Sequence, residues 1–496
     1  MNFLVDTNIL IPLEPTKPDD LSDKTTEAVD FVHLLRQAGF QLIIHPIQKQ
    51  DFQKDHDASR REMRNILLGK YIELRNPPTT SLVFQEEIQN IKPNSNDWVD
   101  FQLLVALERD AVDFLVTEDK GLRKLARRHD LADRVFDLSE AISRIKDLIG
   151  EPVPAPPAVR SVIAYELDES DPIFESFRDD YSPDFERWLT DCKRENRQAW
   201  IIEGDNEYAA VSIVNPETKN HLDLEGKILK ICTFKTSEKF SGRKYGELLL
   251  KTIFSYALSK KYDGLYVTVL PKLDSLIAFF EDFGFHRIPD KTKRGEFKLT
   301  KPILSFATES SHEDELEPLD YHVRYGPTAI RIDNSQVFIT PIKPEFHRLL
   351  FPEEENQKEL VTGFFPFGNS IRKAYLCNSS LKRIDKGDLL LFYRSGDIRG
   401  ITSVGIVENI LVTSSPDILT KFVLKRTVYS KKEIEEMCLK PVLAIQFRYS
   451  GLMRPPIKFD ELKYEGLISG PPQSIQSISK EKIEWLREQM KIRLQF

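Results

Sequence analysis

The 496-residue chain predicts a multidomain fold of α/β and α+β pieces, on three observations. At ~100–200 residues per domain, the length suits about three domains. Two stretches resist regular structure. Residues 151–158 read Glu-Pro-Val-Pro-Ala-Pro-Pro-Ala, a semi-rigid spacer. Residues 305–320 are acidic and poor in apolar side chains, which suits a flexible connector. The apolar pattern also changes between these breaks. It alternates strand and helix in the first segment, is mixed in the second, and is rich in short strands in the third. The predicted segments are 1–149, 160–303 and 321–496, joined by a Pro-rich linker (150–159) and an acidic linker (304–320).

Hydrophobic residues make up 41% and charged residues 30%, enough apolar material for several cores. A net charge of −8 excludes a uniformly basic nucleic-acid coat while allowing local basic patches. Cys192, Cys232, Cys377 and Cys438 form no C-x-x-C pair. That argues against a zinc or redox motif and fits a reducing compartment. The chain opens on a strand, Phe3-Leu4-Val5, with no basic leader. No apolar run approaches the ~20 residues that span a bilayer. The expectation is a cytoplasmic protein with no membrane partner, its oligomeric state left open.

In the first segment, Met1–Val5, Phe40–Ile44 and Val112–Thr117 read as strands. Ala28–Ala38, residues 46–75, Trp98–Arg109 and Gly121–Arg128 read as helices between and after them. This alternation implies a parallel α/β sheet, whose ligands sit beyond the C-terminal strand ends. Asp6 and Asp119 each lie just past a strand, Asp100 opens a helix, and Asp51 follows the second strand. Converging carboxylates repel unless a cation separates them, and hard oxygen ligands select Mg²⁺ or Mn²⁺. A single Asp after a strand is usually a turn or cap residue.

Val5-Asp6-Thr7-Asn8, His45-Pro46 followed by Asp51, and Asp100 through Thr117-Glu118-Asp119 resemble the acidic motifs of PIN-domain nucleases, in order and spacing. Asp55, a helical turn after Asp51, competes for the second position. The resemblance implies metal-dependent hydrolysis of RNA phosphodiesters. Asp6, Asp51, Asp100 and Asp119 would be catalytic, with Asp6, Asp100 and Asp119 holding the metal. Asn8 and Thr117 would support them by hydrogen bonds. Arg123, Lys124, Arg127 and Arg128 offer phosphate contacts, although a basic helix face is more often simply solvated.

In the second segment, Ala199–Glu203, Tyr208–Ile213, Lys227–Phe234 and Gly264–Val269 read as strands. The loop Ser241-Gly242-Arg243-Lys244-Tyr245-Gly246 precedes an amphipathic helix, Glu247–Ser259. A glycine loop at a helix N-terminus suits an anion. With the later Phe283-Gly284-Phe285 turn, the segment resembles GNAT-type N-acetyltransferases. That implies acetyl-CoA as cofactor, gripped at Gly242, Arg243, Lys244 and Gly246, with Thr233 and Phe234 beside the pantetheine. The loop departs from R/Q-x-x-G-x-G/A at Ser241 and Lys244. Phe280 stands where the family often has a proton-donating Tyr, and a phenyl ring donates no proton. Cys232 reads as a core residue rather than a nucleophile.

In the third segment, strands are expected near 336–346, 389–393, 400–409 and 441–447, with a final helix at 479–489. Many short strands suggest a small β-barrel. Lys386-Gly387-Asp388-Leu389-Leu390-Leu391-Phe392-Tyr393, with the returning Gly405-Ile406-Val407-Glu408, resembles the PUA-like superfamily, including ASCH and EVE domains. That implies RNA binding, with Arg372, Lys373, Tyr375, Tyr393 and Arg394 supplying charge and stacking. A structural or protein-binding barrel is the alternative.

Together the segments predict an RNA-acting ribonuclease (tRNA among its candidate targets) fused to acyl-CoA-binding and RNA-recognition parts, by analogy a toxin-like or defence effector. The alternative is an N-acetyltransferase acting on an RNA-linked or protein amine, the flanking segments serving as substrate-binding modules.

Overall fold

The computed structural model describes residues 1–16, 22–53, 56–84, 87, 91–93, 95–150, 159–204, 206–217, 224–306, 316–354, 370–379 and 383–496. Asp55, the spacer 151–158 and most of the acidic connector lie outside these residues. The chain gathers into two compact units. The first holds Met1–Pro152 together with Ser415–Lys425 and Tyr429–Glu436, and the second holds the rest. Two short pieces of the expected third segment therefore belong with the first. No described helix is long and apolar enough to cross a membrane.

The first unit is built on a five-stranded sheet in the order β3-β2-β1-β4-β5. Its strands are β1 (Asn2–Val5), β2 (Gln41–Ile44), β3 (Ile72–Glu73), β4 (Phe114–Val116) and β5 (Val135–Phe136). Every pairing is parallel, as the strand–helix alternation predicts. Both faces are covered, so Phe3, Leu4 and Val5 are fully buried in succession. The late pieces fit here through lysines. Lys425 donates to the carbonyls of Ala132 and Val135 and lies over the Phe136 ring. Lys431 donates to Ala38 O and lies over Phe40. Their stems cover apolar surface while the ammonium groups satisfy carbonyls.

The second unit contains two seven-stranded sheets. One has the order β11-β12-β10-β9-β8-β7-β6, from β6 (Val159–Ile163), β7 (Gln198–Glu203), β8 (Tyr208–Glu217), β9 (Ile228–Thr236), β10 (Gly264–Val269), β11 (His286–Lys291) and β12 (Phe297–Pro302). It is mixed: β9 and β10 run parallel and the remaining pairs antiparallel. Ile202, Ala210 and Val214 face a core shared with the helix Tyr245–Ser259. Alternate residues Ile201, Val211 and Ile213 face a second core with the helix Asp184–Arg194. The Phe-Gly-Phe turn needs its glycine: Gly284 has φ +85°, and an added Cβ would stand 1.7 Å from Val323 O.

The other sheet runs β14-β17-β16-β15-β13-β18, with β19 beside β17. Its strands are β13 (Val337–Ile342), β14 (Arg372–Cys377), β15 (Leu389–Arg394), β16 (Gly400–Thr413), β17 (Val442–Lys458), β18 (Gln476–Ser477) and β19 (Leu494–Gln495). This differs from the expected barrel. Among the described residues no pairing joins β14 to β18, so the hydrogen-bonded path stays open. The long strands β16 and β17 bend through several register shifts instead.

The two sheets of this unit are tied by buried polar contacts, so 160–303 and 321–496 are not independent bodies. Glu247, on the helix Tyr245–Ser259, accepts from Ser370 Oγ (2.6 Å) and Ile371 N (3.0 Å). Arg448 on β17 donates to Asp282 O at 2.9 Å. Lys301 on β12 donates to Val323 O at 2.8 Å.

Candidate active sites

At the C-terminal edge of the parallel sheet, Asp6 ends β1 and caps the helix Thr7–Leu13. Asp119 follows β4 and caps the helix Lys120–Arg128, accepting from Leu122 N at 2.7 Å. Both are helix caps, the ordinary role of an Asp after a strand. They also share a network. Thr117 Oγ donates to Asp6 Oδ2 (2.6 Å), and Asn8 Nδ2 donates to the same oxygen (2.6 Å). Asp119 N donates to Thr117 Oγ (2.9 Å), and Asn8 Oδ1 accepts from Glu118 N (3.2 Å).

Asp100, on the helix Asn96–Glu108, completes the electrostatics. Burial, then the charges of Asp6, Asp119, Asp97 and Asp51, push its carboxyl up to about 7. Burial also raises Asp6, and Asp119 adds to it, against the opposing hydrogen bonds from Thr117, Thr7 and Asn8. Asp100 thus feels the other three expected carboxylates and also Asp97, which the sequence reading missed. Its signal was the i, i+3 spacing to Asp100 on one helix face.

The donor chemistry suits a hard divalent cation. The Asp6 oxygens are also engaged by the protein itself. Asp6 Oδ1 takes Thr7 N (2.5 Å), while Oδ2 takes Asn8 and Thr117. Among the described residues no group of three acidic, His or Cys side chains stands ready to coordinate a metal. Nearby, Arg123 pairs with Asp137 at 2.9 Å, and Arg127 is exposed in the last turn of its helix.

In the second unit, β10 pairs with β9 only as far as Val267 opposite Ile231. The next residue, Cys232, is a bulge: Thr233 pairs with Ile213 and Ile231 with Val214, leaving Cys232 as the extra residue. A bulge bends its strand, and β9 parts from β10 here. The rest of β9 pairs with β8 alone and leads toward Ser241–Gly246. Cys232 is half-buried, and burial pushes its thiol up, which disfavours the thiolate.

The loop keeps a glycine-like backbone where it lacks the glycine. Lys244 is the N-cap of the helix Tyr245–Ser259 in the left-handed region, φ 59°, and Gly242 has φ 77°. Lys244 Nζ lies 3.4 Å from Glu247 Oε1, and the Arg243 guanidinium sits 5.2 Å from the Phe240 ring centre. Thr233 is buried with its carbonyl accepting from Ser212 Oγ (2.8 Å). Phe234 packs against Phe279 and Phe280, and an added Cβ at Gly246 would meet Phe279 at 3.6 Å. Phe280 is fully buried, ringed by Phe234, Phe279 and Phe285. No hydroxyl stands at that position.

The basic and aromatic residues expected to read RNA in the third segment are mostly interior. Lys373 is fully buried, donates to Leu350 O at 2.7 Å and lies between the Phe351 and Tyr449 rings. Burial pulls its ammonium down to about 7. Tyr393 is 1% exposed within the core. Arg394 is buried and pairs with Asp397 at 2.6 Å. Tyr375 donates to Pro341 O at 2.6 Å. Arg372 is the more accessible, yet its Nε is 3.1 Å from both Glu408 oxygens. Lys373, Tyr393 and Arg394 are therefore corrected from surface contacts to core groups. A cavity of about 610 Å³ lies elsewhere in this segment, lined by Phe306, Tyr321, Arg331, Asp333, Arg487 and Lys491 among others.

Comparison with known proteins bears on one of these segments. Residues 163–285 match the Acetyltransferase (GNAT) family, and they hold a GNAT acetyltransferase domain. No curated protein matches the chain significantly. Among solved structures, the chain is similar to ASCH from Zymomonas mobilis (15% identity, 31% of this chain and 94% of that one, TM-score 0.25). It is also similar to a GNAT family acetyltransferase from Elizabethkingia anophelis with acetyl-CoA bound (18%, 29% and 95%, 0.22). A third is the IAA acetyltransferase from Bacillus cereus ATCC 14579 (14%, 29% and 98%, 0.23).

Proposed function

We propose that the chain is an acyl-CoA-dependent N-acyltransferase whose acceptor is an amine on a protein or an RNA-linked group, with segments 1–149 and 321–496 serving as substrate-binding modules. The observation that carries this reading is the parting of β9 and β10 at the Cys232 bulge, inside the GNAT match and leading to the Ser241–Gly246 loop. Strand edges that have lost their ladder partner offer amide and carbonyl groups to an extended ligand such as pantetheine. The loop backbone, Arg243 and Lys244 suit the pyrophosphate. Because Phe280 has no proton to give, the departing thiolate takes its proton from another source, and positioning carries more of the catalysis. Calorimetry with acetyl-CoA, followed by acetyl transfer to amine acceptors, tests the proposal. A chain that binds no acetyl-CoA would refute it.

The charges of Asp6, Asp51, Asp97 and Asp119 acting on Asp100, and of Asp119 acting on Asp6, support a second reading, metal-dependent RNA hydrolysis by the first unit. RNA cleavage with added Mg²⁺ or Mn²⁺ by the wild type, lost in Asp6→Asn, is its expected outcome. Equal cleavage by both would sink it.

A further inference from the structure

The helix Tyr245–Ser259 has two sets of partners. Leu249, Leu250, Ile253 and Ala257 pack in the GNAT core. Glu247, Lys251 and Ser255, spaced four apart and so on one face, all meet the third segment. Glu247 Oε2 accepts from Ser370 Oγ (2.6 Å) and from the backbone N–H groups of Ile371 (3.0 Å) and Arg372 (3.5 Å), at the head of β14. Lys251 pairs with Glu353 and lies 4.7 Å from the Tyr449 ring centre. Ser255 Oγ donates to Phe496 O at 3.0 Å. Glu247 and Lys251 are buried, so this face is an internal seam of the second unit and not a wetted helix side.

Glu247 is also the third residue of that helix, in the turn that follows the Ser241–Gly246 loop. A carboxylate there suits the helix dipole by itself. It opposes a pyrophosphate held at the same N-terminus, since like charges repel. Its other oxygen meets the loop: Lys244 Nζ stands 3.4 Å from Oε1. Burial works against the charge, but Lys244, then Ser370 and Arg372, outweigh it and hold the carboxyl below its usual range. One carboxylate is therefore shared by a loop cation and by strand donors. We propose that acyl-CoA affinity is set from the third segment through Glu247. The pyrophosphate takes Lys244 from Glu247, and the Ser370 hydroxyl and the Ile371 N–H offset the charge left behind. The loop accepts acyl-CoA readily only while the head of β14 is docked on the helix. Such coupling is reciprocal: bound acyl-CoA leaves Glu247 to the strand donors and tightens the docking. This rests on the acyltransferase reading.

The experiment measures acetyl-CoA affinity of the full chain by calorimetry, with melting temperatures as the check on folding. Glu247→Gln keeps an oxygen for Ser370 and Ile371 but loses the charge, and should bind acetyl-CoA roughly 10-fold more tightly than the wild type. Ser370→Ala should bind it roughly 5-fold more weakly, because Glu247 then holds Lys244 more firmly. Adding Lys244→Ala separates this coupling from a merely structural role. In that background the Ser370→Ala loss should shrink to within about twofold, since no lysine remains to be released. Hydrogen exchange reads the reciprocal effect: acetyl-CoA should slow the Ile371 amide more in the wild type than in Glu247→Gln. Should Glu247→Gln unfold, the Ser370–Lys244 cycle decides alone. A folded Glu247→Gln with unchanged or weaker affinity would overturn the inference, and so would a Ser370→Ala loss as large without Lys244 as with it. Failure of the wild type to bind acetyl-CoA overturns the acyltransferase reading itself, and this inference with it.

Discussion

Two acidic centres in this molecule have opposite surroundings. Asp100 lies among acids, and burial with Asp6, Asp119, Asp97 and Asp51 pushes its carboxyl up to about 7. Glu408 lies among bases. Burial works against its charge, but Arg372, Arg448 and Arg426 outweigh it and hold the carboxyl far below the usual range. Their nitrogens approach to 3.1, 2.7 and 2.7 Å. Burial alone therefore does not fix the state of a carboxylate; its neighbours do. The arginine-clamped centre stabilises the fold of the second unit, since Arg448 also reaches Asp282 O on the GNAT helix. The acid-only centre works against stability in the first unit, and such arrangements concentrate where chemistry occurs.

The largest test removes the clamped acid. Glu408→Ala leaves three buried guanidinium groups without their shared partner, and should cost ~3–5 kcal/mol in the unfolding transition of the second unit. Urea denaturation followed by tryptophan fluorescence measures it. Next comes Asp100. Its carboxyl keeps a proton up to about pH 7 when folded but only up to about pH 4 when unfolded. The folded first unit therefore binds the extra proton between these values and loses stability as pH rises through them. Asp100→Asn should remove that slope and leave the unit ~1–2 kcal/mol more stable at pH 8, below the full value of the shift because water screens a partly exposed group. Melting temperatures at pH 5 and pH 8 decide this, and an identical slope in wild type and variant would break the contrast. The smallest effect concerns Lys244. Glycine there relieves the left-handed backbone by ~1 kcal/mol but forfeits the Glu247 pair. Stability should change little while acetyl-CoA affinity falls severalfold.

The parallel sheet and its acidic edge were legible because both are local signals. An apolar run followed closely by Asp marks a strand end, and the order and spacing of the four carboxylates singled out Asp6 and Asp119. The mixed GNAT sheet was legible from the glycine loop and the strands around it. The bulge at Cys232 was not, because nothing in Ile231-Cys232-Thr233 announces an extra residue. The RNA-reading set failed on pattern. Leu389-Leu390-Leu391-Phe392-Tyr393-Arg394 is a continuous run, the signature of a strand buried on both faces, and every residue of it is buried. Lys373, second in its strand, is buried like the three residues after it, with an aliphatic stem that packs as a hydrophobe would. Residues 415–425 and 429–436 could not be assigned from sequence, since their place in the first unit depends on tertiary structure rather than on chain order.

That last feature bears on how the protein is made. The first unit draws Ser415–Lys425 and Tyr429–Glu436 from between β16 and β17. At roughly 5–20 residues per second, the ribosome delivers Lys425 and Lys431 on the order of half a minute or more after β1 has emerged. Until then the carbonyls of Ala38, Ala132 and Val135 wait for their donors. The sheet translated first is thus among the parts finished late, and a chain cut at residue 152 would carry that unfinished surface permanently.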